Sequence, residues 1–387
     1  MSVCGNIQPN RIMAVAGDAG GAAAIVPVLQ RMKGLGGSWL IQVMAYNQAR
    51  EIFSKSNVPY NEIGERSDEA EVSRHFQKFR PDCLLTATSV NGVDWEKFMI
   101  SESRHAGIPS LSVLDFWSNY RARFSNQRNQ LAYLPDRIAV MDKCAQNEMI
   151  QQGFPEGCLV VTGQPVFDEL FKSKTEYELE ARNVRSKYTA RFPCNKVVVF
   201  LSQPISRFYA SPVLCDNNPG YNEADVFKIL VDGLEQLTIK LNIKINLLVR
   251  AHPRETWSLA SDGKLSWGIY LHRVEQEKIR PLLMAADMVV GMTTVLLMES
   301  CLLGCVTVSL QPGLQGPDIL PANRMGLAFS VYERECAVPV LATALLDESA
   351  RAEKIKRMAA IPAQGRGAER VIEEISRVIS LNRRCGL

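Results

Sequence analysis

Several common chemistries are missing from this 387-residue chain. No stretch of about 18 or more apolar residues occurs, so no segment is expected to span a bilayer. Met1 to Arg11 is polar and lacks the apolar core of a secretory signal. There is no G-x-x-x-x-G-K-[ST] loop, which argues against a P-loop ATPase, and no G-x-S-x-G elbow, which argues against a serine hydrolase. Neither H-E-x-x-H nor D-x-D is present, and the four His residues lie beside no Cys cluster, so no metal ligand set is visible. The ten Cys residues are scattered without a C-x-x-C pair. Cys301 and Cys305 flank an apolar helix end without nearby His, so reduced, structural thiols in a cytoplasmic protein are expected. A net charge of +3 is too small to argue for nucleic acid as a partner.

What is present is alternation of strand and helix. Arg11 to Ala16 reads as a first strand, followed by the turn Gly17-Asp-Ala-Gly-Gly-Ala22 and a helix over Ala23 to Lys33. Further strands are expected at 39–45, 83–87, 110–114, 137–141 and 159–162, with helices between them. Lys172 to Arg191 is charged and helix-prone, a bridge to a second half. That half begins with the buried strand Lys196 to Leu201 and continues with strands at 244–250, 268–271, 287–290, 306–310 and 327–330. At this length two domains are the natural division. Each predicts a parallel sheet covered on both faces, with function at the C-terminal ends of its strands.

Those ends carry the candidate residues. The Gly17 to Gly20 turn permits close backbone approach and offers Asp18 as its ionisable group. Asp115 opens a loop in which Trp117, Asn119, Tyr120, Arg121, Arg123 and Arg128 place aromatics beside cations, as loops that grip sugars and charged groups do. An ordinary connector with solvated arginines fits that composition equally. Ser202-Gln-Pro-Ile-Ser206 ends the first strand of the second half, and the Pro- and Gly-containing segment 211–222 reads as a mobile loop or lid. Ala251-His-Pro-Arg-Glu255 ends the next strand, and an imidazole there can donate to a phosphate oxygen. The stretch from Ala286 to Gly313 reads as strand, polar turn, helix and strand. Thr293 and Thr294 open the helix, where free N–H groups and the helix dipole favour an anion. Glu299 lies on its first turns, within reach of a hydroxyl-bearing group beside that anion. Phosphate next to ribose describes a nucleotide.

Two α/β halves with Thr162-Gly-Gln-Pro-Val-Phe-Asp168 closing the first resemble glycosyltransferases of the GT-B fold. Nucleotide-sugar 2-epimerases of that fold carry a similar Gly-Asn-Pro-Val-x-Asp segment, and a glutamate in the position of Glu299 holds ribose hydroxyls there. Where those epimerases have Asp-Ser-Gly-Gly, this chain has Met292-Thr-Thr-Val295. Leu201-Ser-Gln-Pro204 and His252-Pro-Arg-Glu255 are similar to bacterial sialyltransferases and capsule-type transferases, in which a His-Pro motif and a Ser/Thr pair contact the donor's phosphate. Asp18 sits in the loop that carries the catalytic base in lipid-linked GlcNAc transferases of the fold.

The resemblance implies two Rossmann-like domains facing a cleft. Residues 1–172 would form an acceptor domain and 192–350 a donor domain, with 351–387 crossing back to the first. It implies metal-independent transfer of a sugar, without a cofactor, from a CMP- or UDP-sugar to a glycan or other hydroxyl acceptor. Gly17, Gly20, Gln203, Ser206, His252, Arg254, Thr293, Thr294 and Glu299 would bind the donor. Asp18 or Asp115 would be the general base, with His252 assisting departure of the nucleotide, and Trp117, Asn119, Tyr120 and Arg121 would face the acceptor. A peripheral membrane association and the oligomeric state stay open. So do two alternatives: an epimerase or hydrolase of nucleotide sugars, and a non-catalytic nucleotide or glycan sensor.

Overall fold

A computed structural model describes residues 9–36, 38–64, 66, 68–90, 92–208, 218–252, 255, 262–361 and 365–385. The chain divides into two compact units, residues 1–169 with 362–387 and residues 170–361.

The first unit is built on a seven-stranded parallel sheet. Its strands are β1 (Asn10–Ala16), β2 (Trp39–Ala45), β3 (Asn61–Glu62), β4 (Cys83–Thr86), β5 (Ser110–Val113), β6 (Arg137–Val140) and β7 (Leu159–Val161). The order is β3-β2-β1-β4-β5-β6-β7. Successive residues of β1 serve opposite faces, as the period of a strand requires. Ile12 and Ala14 pack under the helix Ala19–Gly34 and the C-terminal helix Gly367–Cys385. Met13 and Val15 pack against the helices Glu69–Phe79 and Trp95–His105 through Val72, Phe76, Trp95 and Met99. The C-terminal helix earns its place by spacing: Ala368, Val371, Ile372, Ile375, Val378 and Ile379 recur at three and four residues and are all buried.

The second unit repeats the plan in the order β10-β11-β9-β8-β12-β13-β14. These strands are β8 (Lys196–Leu201), β9 (Ile245–Arg250), β10 (Gly263–Ser266), β11 (Ile269–Arg273), β12 (Met288–Gly291), β13 (Thr307–Leu310) and β14 (Phe329–Val331). All pairs are parallel except the β10–β11 hairpin. Val198 and Phe200 of β8 pack against the helices Glu223–Leu241 and Ala337–Leu346.

One expectation is corrected, and three elements are added to those expected. The helix Glu348–Ala359 belongs to the second unit, so the chain rejoins the first unit only from residue 362. The two-residue β3, the edge strand β10 and the helix Ala337–Leu346 had no counterpart in the sequence reading. Among the described residues no helix is long and apolar enough to cross a membrane.

Candidate functional site

In each sheet the chain winds outward in both directions from one point, and in open α/β sheets ligands bind beyond such a point, at the strands' C-terminal ends. In the first unit this point lies between β1 and β4. Gly17 and Asp18 follow β1, and their N–H groups donate to Ser89 Oγ at 3.2 and 2.9 Å. Val90 N–H donates to Asp18 Oδ2 at 2.8 Å. The Ser89 hydroxyl donates in turn to Glu96, which also accepts from the Tyr46 hydroxyl. Glu96 is buried, and burial pushes its carboxyl up to about 7 against the pull of those two hydroxyls.

The glycines of this turn have a packing reason. A Cβ on Gly17 would overlap the buried Tyr46 ring, and one on Gly20 would lie 2.7 Å from Asp115 Oδ2. The turn carrying Asp18 and the carboxylate of Asp115 therefore sit together, as candidates for one task should. Asp115 is held firmly, by the Thr88 hydroxyl at 3.1 Å and by an ion pair with the buried Arg123 guanidinium. Gln164 of the Thr162 to Asp168 segment donates to Leu114 and Asp115 carbonyls at 3.2 and 2.8 Å.

The expected acceptor side chains are placed differently. Trp117 and Tyr120 are each 2% exposed. The Trp117 indole N–H donates to Asp142 and the Tyr120 hydroxyl to Glu148, both at 2.6 Å. Arg121 donates to the Gln152 and Asn129 carbonyls. These three anchor the loop to the helix Lys143–Gln151 and its C-terminal end, with the two rings buried and Arg121 half-buried. The reason is the polar handles of the two rings, which find the buried Asp142 and the half-buried Glu148 as partners on the helix that follows β6. Asn119 alone of the four is exposed, in left-handed conformation at the start of the helix Tyr120–Phe124.

In the second unit the switch point lies between β8 and β12, and β9 flanks β8 on its other side. His252 and Thr293 therefore end strands two spacings apart, about 10 Å along the sheet edge. A hydrogen-bonded chain spans that edge. The Glu255 carboxylate accepts from His252 N–H at 2.9 Å and from the buried Ser202 hydroxyl, tying the end of β9 to the end of β8. The neighbouring Gln203 Oε1 accepts from Thr293 N–H at 2.8 Å, tying β8 to β12. Thr294 caps the helix Val295–Leu302, accepting from Leu296 N–H at 3.3 Å. Ser206 is drawn aside: its hydroxyl and N–H both donate to the buried Glu223. Glu299 pairs with Arg280 at 3.3 Å, and Arg280 also donates to the Tyr177 hydroxyl at 2.9 Å. Burial raises the Glu299 carboxyl above its ordinary value, with Arg280 pulling the other way. Arg254 and residues 211–217 of the expected lid lie outside the described residues.

Sequence reasoning singled out neither Glu96 nor Glu255 as a functional residue. For Glu255 a signal existed: a carboxylate three residues beyond a strand-ending His closes a turn by accepting from the His amide. Among the described residues no three His, Cys, Asp or Glu side chains group to hold a metal ion.

No protein-family model matches the chain, and no curated protein matches it significantly. Its shape does match solved structures. UDP-GlcNAc 2-epimerase from Neisseria meningitidis, bound to UDP-GlcNAc, superimposes with a TM-score of 0.59 over 95% of this chain and 100% of its own, at 16% identity. MurG from Acinetobacter baumannii gives a TM-score of 0.59 over 95% and 99% at 12% identity. The glycotransferase of kitacinnamycin gives 0.59 over 95% and 100%, also at 12%. The chain has the GT-B fold. At these identities the likeness fixes architecture and leaves chemistry to the residues.

Proposed function

We propose that the chain transfers a sugar from a nucleotide-sugar donor, a UDP- or CMP-sugar, to a hydroxyl acceptor without a metal. The observation that supports this reading is the bonded edge of the second sheet, His252–Glu255–Ser202 and Gln203–Thr293, at the switch point between β8 and β12. A phosphate over the end of β8 would stand between the His252 imidazole and the amides that open the Thr294-capped helix. Both favour negative charge, so both stabilise a departing nucleotide. Thr293 and Thr294 would hold phosphate, Gln203 would line the site, and Glu299, already oriented by Arg280, would take the ribose hydroxyls. Arg254 remains a candidate for the same pocket, whereas Ser206 is engaged by Glu223. UDP is the first nucleotide to try, since the epimerase of the same fold binds UDP-GlcNAc.

The first unit would supply the base. Asp18 is the better candidate, because Arg123 already neutralises Asp115. Asp18 would take the acceptor hydroxyl's proton as that oxygen bonds to the anomeric carbon. The bond from that carbon to the nucleotide's phosphate oxygen breaks, and the electron pair leaves with the nucleotide.

The test is a thermal-shift series with CMP, CDP, UDP, GDP and dTDP, on the native chain and on His252→Ala. One nucleotide should raise the melting temperature of the native chain, and the substitution should remove most of that rise. No rise with any of the five, or an unchanged rise in the variant, overturns the assignment. The shared fold with a 2-epimerase supports a second reading, isomerisation or hydrolysis of the donor. Product analysis with donor alone separates the two, since transfer needs an acceptor.

A further inference from the structure

The loops after β4 and β5 line an open cavity of about 800 Å³ within the first unit. One wall is the start of the helix Trp95–His105 and the turn before it, with Asp94, Lys97 and Phe98. The other is the segment 122–133, with Ser125, Arg128 and Tyr133 among its lining. The cavity begins two residues beyond Val90, whose N–H holds Asp18.

Its lining has a definite chemistry. Lys97 pairs with Asp94 at 3.0 Å and stands 5.9 Å from the centroid of the Tyr133 ring. Its side chain is only 18% exposed. Arg128 is exposed, and among the described residues its guanidinium makes no hydrogen bond or ion pair. Two cations thus face one carboxylate. Ser125 is 5% exposed, and its buried hydroxyl has no partner among the described residues. Buried hydroxyls are almost always bonded, so this one points to a bridging water or ligand. Phe98 and Tyr133 add apolar ring surface, and the volume is that of a small-molecule site.

We infer that this cavity binds a sugar that carries a negative charge, a carboxylate or a phosphate. The rings cover the apolar face of the sugar, and neighbouring amide side chains meet its hydroxyls. Lys97 and Arg128 meet the anionic group, where a charge-assisted bond is stronger than a neutral one. Only the ligand's role as acceptor rests on the proposed transfer; binding stands by itself. The site replaces the Trp117 and Tyr120 surface that the loop's composition suggested.

Saturation-transfer NMR on the full chain, with glucuronic acid, glucose 1-phosphate and glucose as probes, tests this. The two charged sugars should bind more tightly than glucose. Lys97→Met and Arg128→Ala should each weaken them by about tenfold while leaving glucose unchanged. Arg128 is exposed and unbonded, so its variant reports even if the Lys97 variant folds poorly. Glucuronic acid binding without glucose 1-phosphate assigns a carboxylate, and the reverse a phosphate; either supports the inference. Equal binding of all three, no binding, or no loss in Arg128→Ala overturns it. The nucleotide thermal shift, run on the same Arg128→Ala protein, keeps the two proposals apart. A nucleotide response without sugar binding sinks only this one, and sugar binding without a nucleotide response sinks only the other.

Discussion

Asp168 holds Gly367 across 199 residues of chain: its Oδ1 accepts from Gly367 N–H and its Oδ2 from Ala368 N–H, each at 2.8 Å. The first amides of a helix have no partner within it, and a carboxylate there meets both the amides and the dipole. The side chain that closes the Thr162 to Asp168 segment therefore seats the helix that returns to the first unit. Asp168 is 4% exposed, so its loss leaves two buried amides unbonded. Asp168→Ala should destabilise the first unit by about 2 to 4 kcal/mol, the range for losing a charge-assisted cap in a buried setting. Hydrogen exchange should show Val371 to Ile379 losing protection first. A variant with native protection in that helix would mean that its apolar face alone seats it.

Glu96 gives a pH dependence whose sign can be worked out. Its carboxyl sits at about 7 in the fold, against an ordinary value of 4.5 in the open chain. The folded form thus keeps a proton between those values that the unfolded form has released. Stability from this group is complete below about pH 4.5 and is lost as pH rises through 7, amounting to about 3 kcal/mol at 1.36 kcal/mol per pH decade. Asp18, the nearby carboxylate, pushes in the same direction. Glu96→Gln cannot ionise, so the first unit should lose that slope and melt higher than the native chain at pH 8. An unchanged slope in the variant would show that another group carries it.

The architecture could be read from the chain because buried parallel strands write themselves as short apolar runs. Val197 to Leu201 and Ile245 to Val249 are β-branched or leucine apart from Phe200 and Asn246, and are covered. The helix Ala337–Leu346 was missed for the opposite reason. It is apolar nearly all round and carries Pro339 in its first turn, so no face declares itself. At the sites, local sequence located the strand ends and not the contacts made there. Gly17 and Gly20 looked like ligand-facing glycines, yet the groups that require them, Tyr46 and Asp115, lie on other strands' loops. Trp117 and Tyr120 looked available because Asp142 and Glu148, which bind them, cap and belong to the helix after the next strand. Glu96 carries no local sequence signal, because its two hydroxyl partners come from Tyr46 and Ser89.

His272 predicts a pH response of opposite sign in the second unit. Its ring is buried between Tyr188 and Phe192, Nε2 meets Asn246 Oδ1 at 3.2 Å, and Nδ1 has no partner among the described residues. Burial lowers its value below the ordinary 6.5, although Asp262 pulls it up. The open chain therefore takes up a proton first as pH falls, and the second unit should weaken steadily below about pH 6.5. His272→Phe removes the titrating group, so the slope below pH 6.5 should flatten even if the new ring packs less well. Exchange read separately in the two units distinguishes this from the Glu96 effect. Loss of stability on acidification that survives His272→Phe would place the responsible group elsewhere.

Glu255 is the sharpest test of the proposed donor edge, because it touches the site only through others. One carboxylate receives both His252 N–H and the Ser202 hydroxyl, so it fixes where the imidazole's backbone sits relative to β8. Glu255→Gln keeps the shape and can accept only one of those bonds with its oxygen. Each bond lost is worth about 1 kcal/mol, so nucleotide affinity should fall about fivefold. Ser202→Ala should give a loss of similar size, since it breaks the same link from the β8 side. The double variant should be little worse than either single one, because the two groups act through one connection. Isothermal titration with the nucleotide that stabilises the native chain measures all three. Losses that add in full would mean that Glu255 and Ser202 act independently, and the bonded edge would not be the unit that binds phosphate.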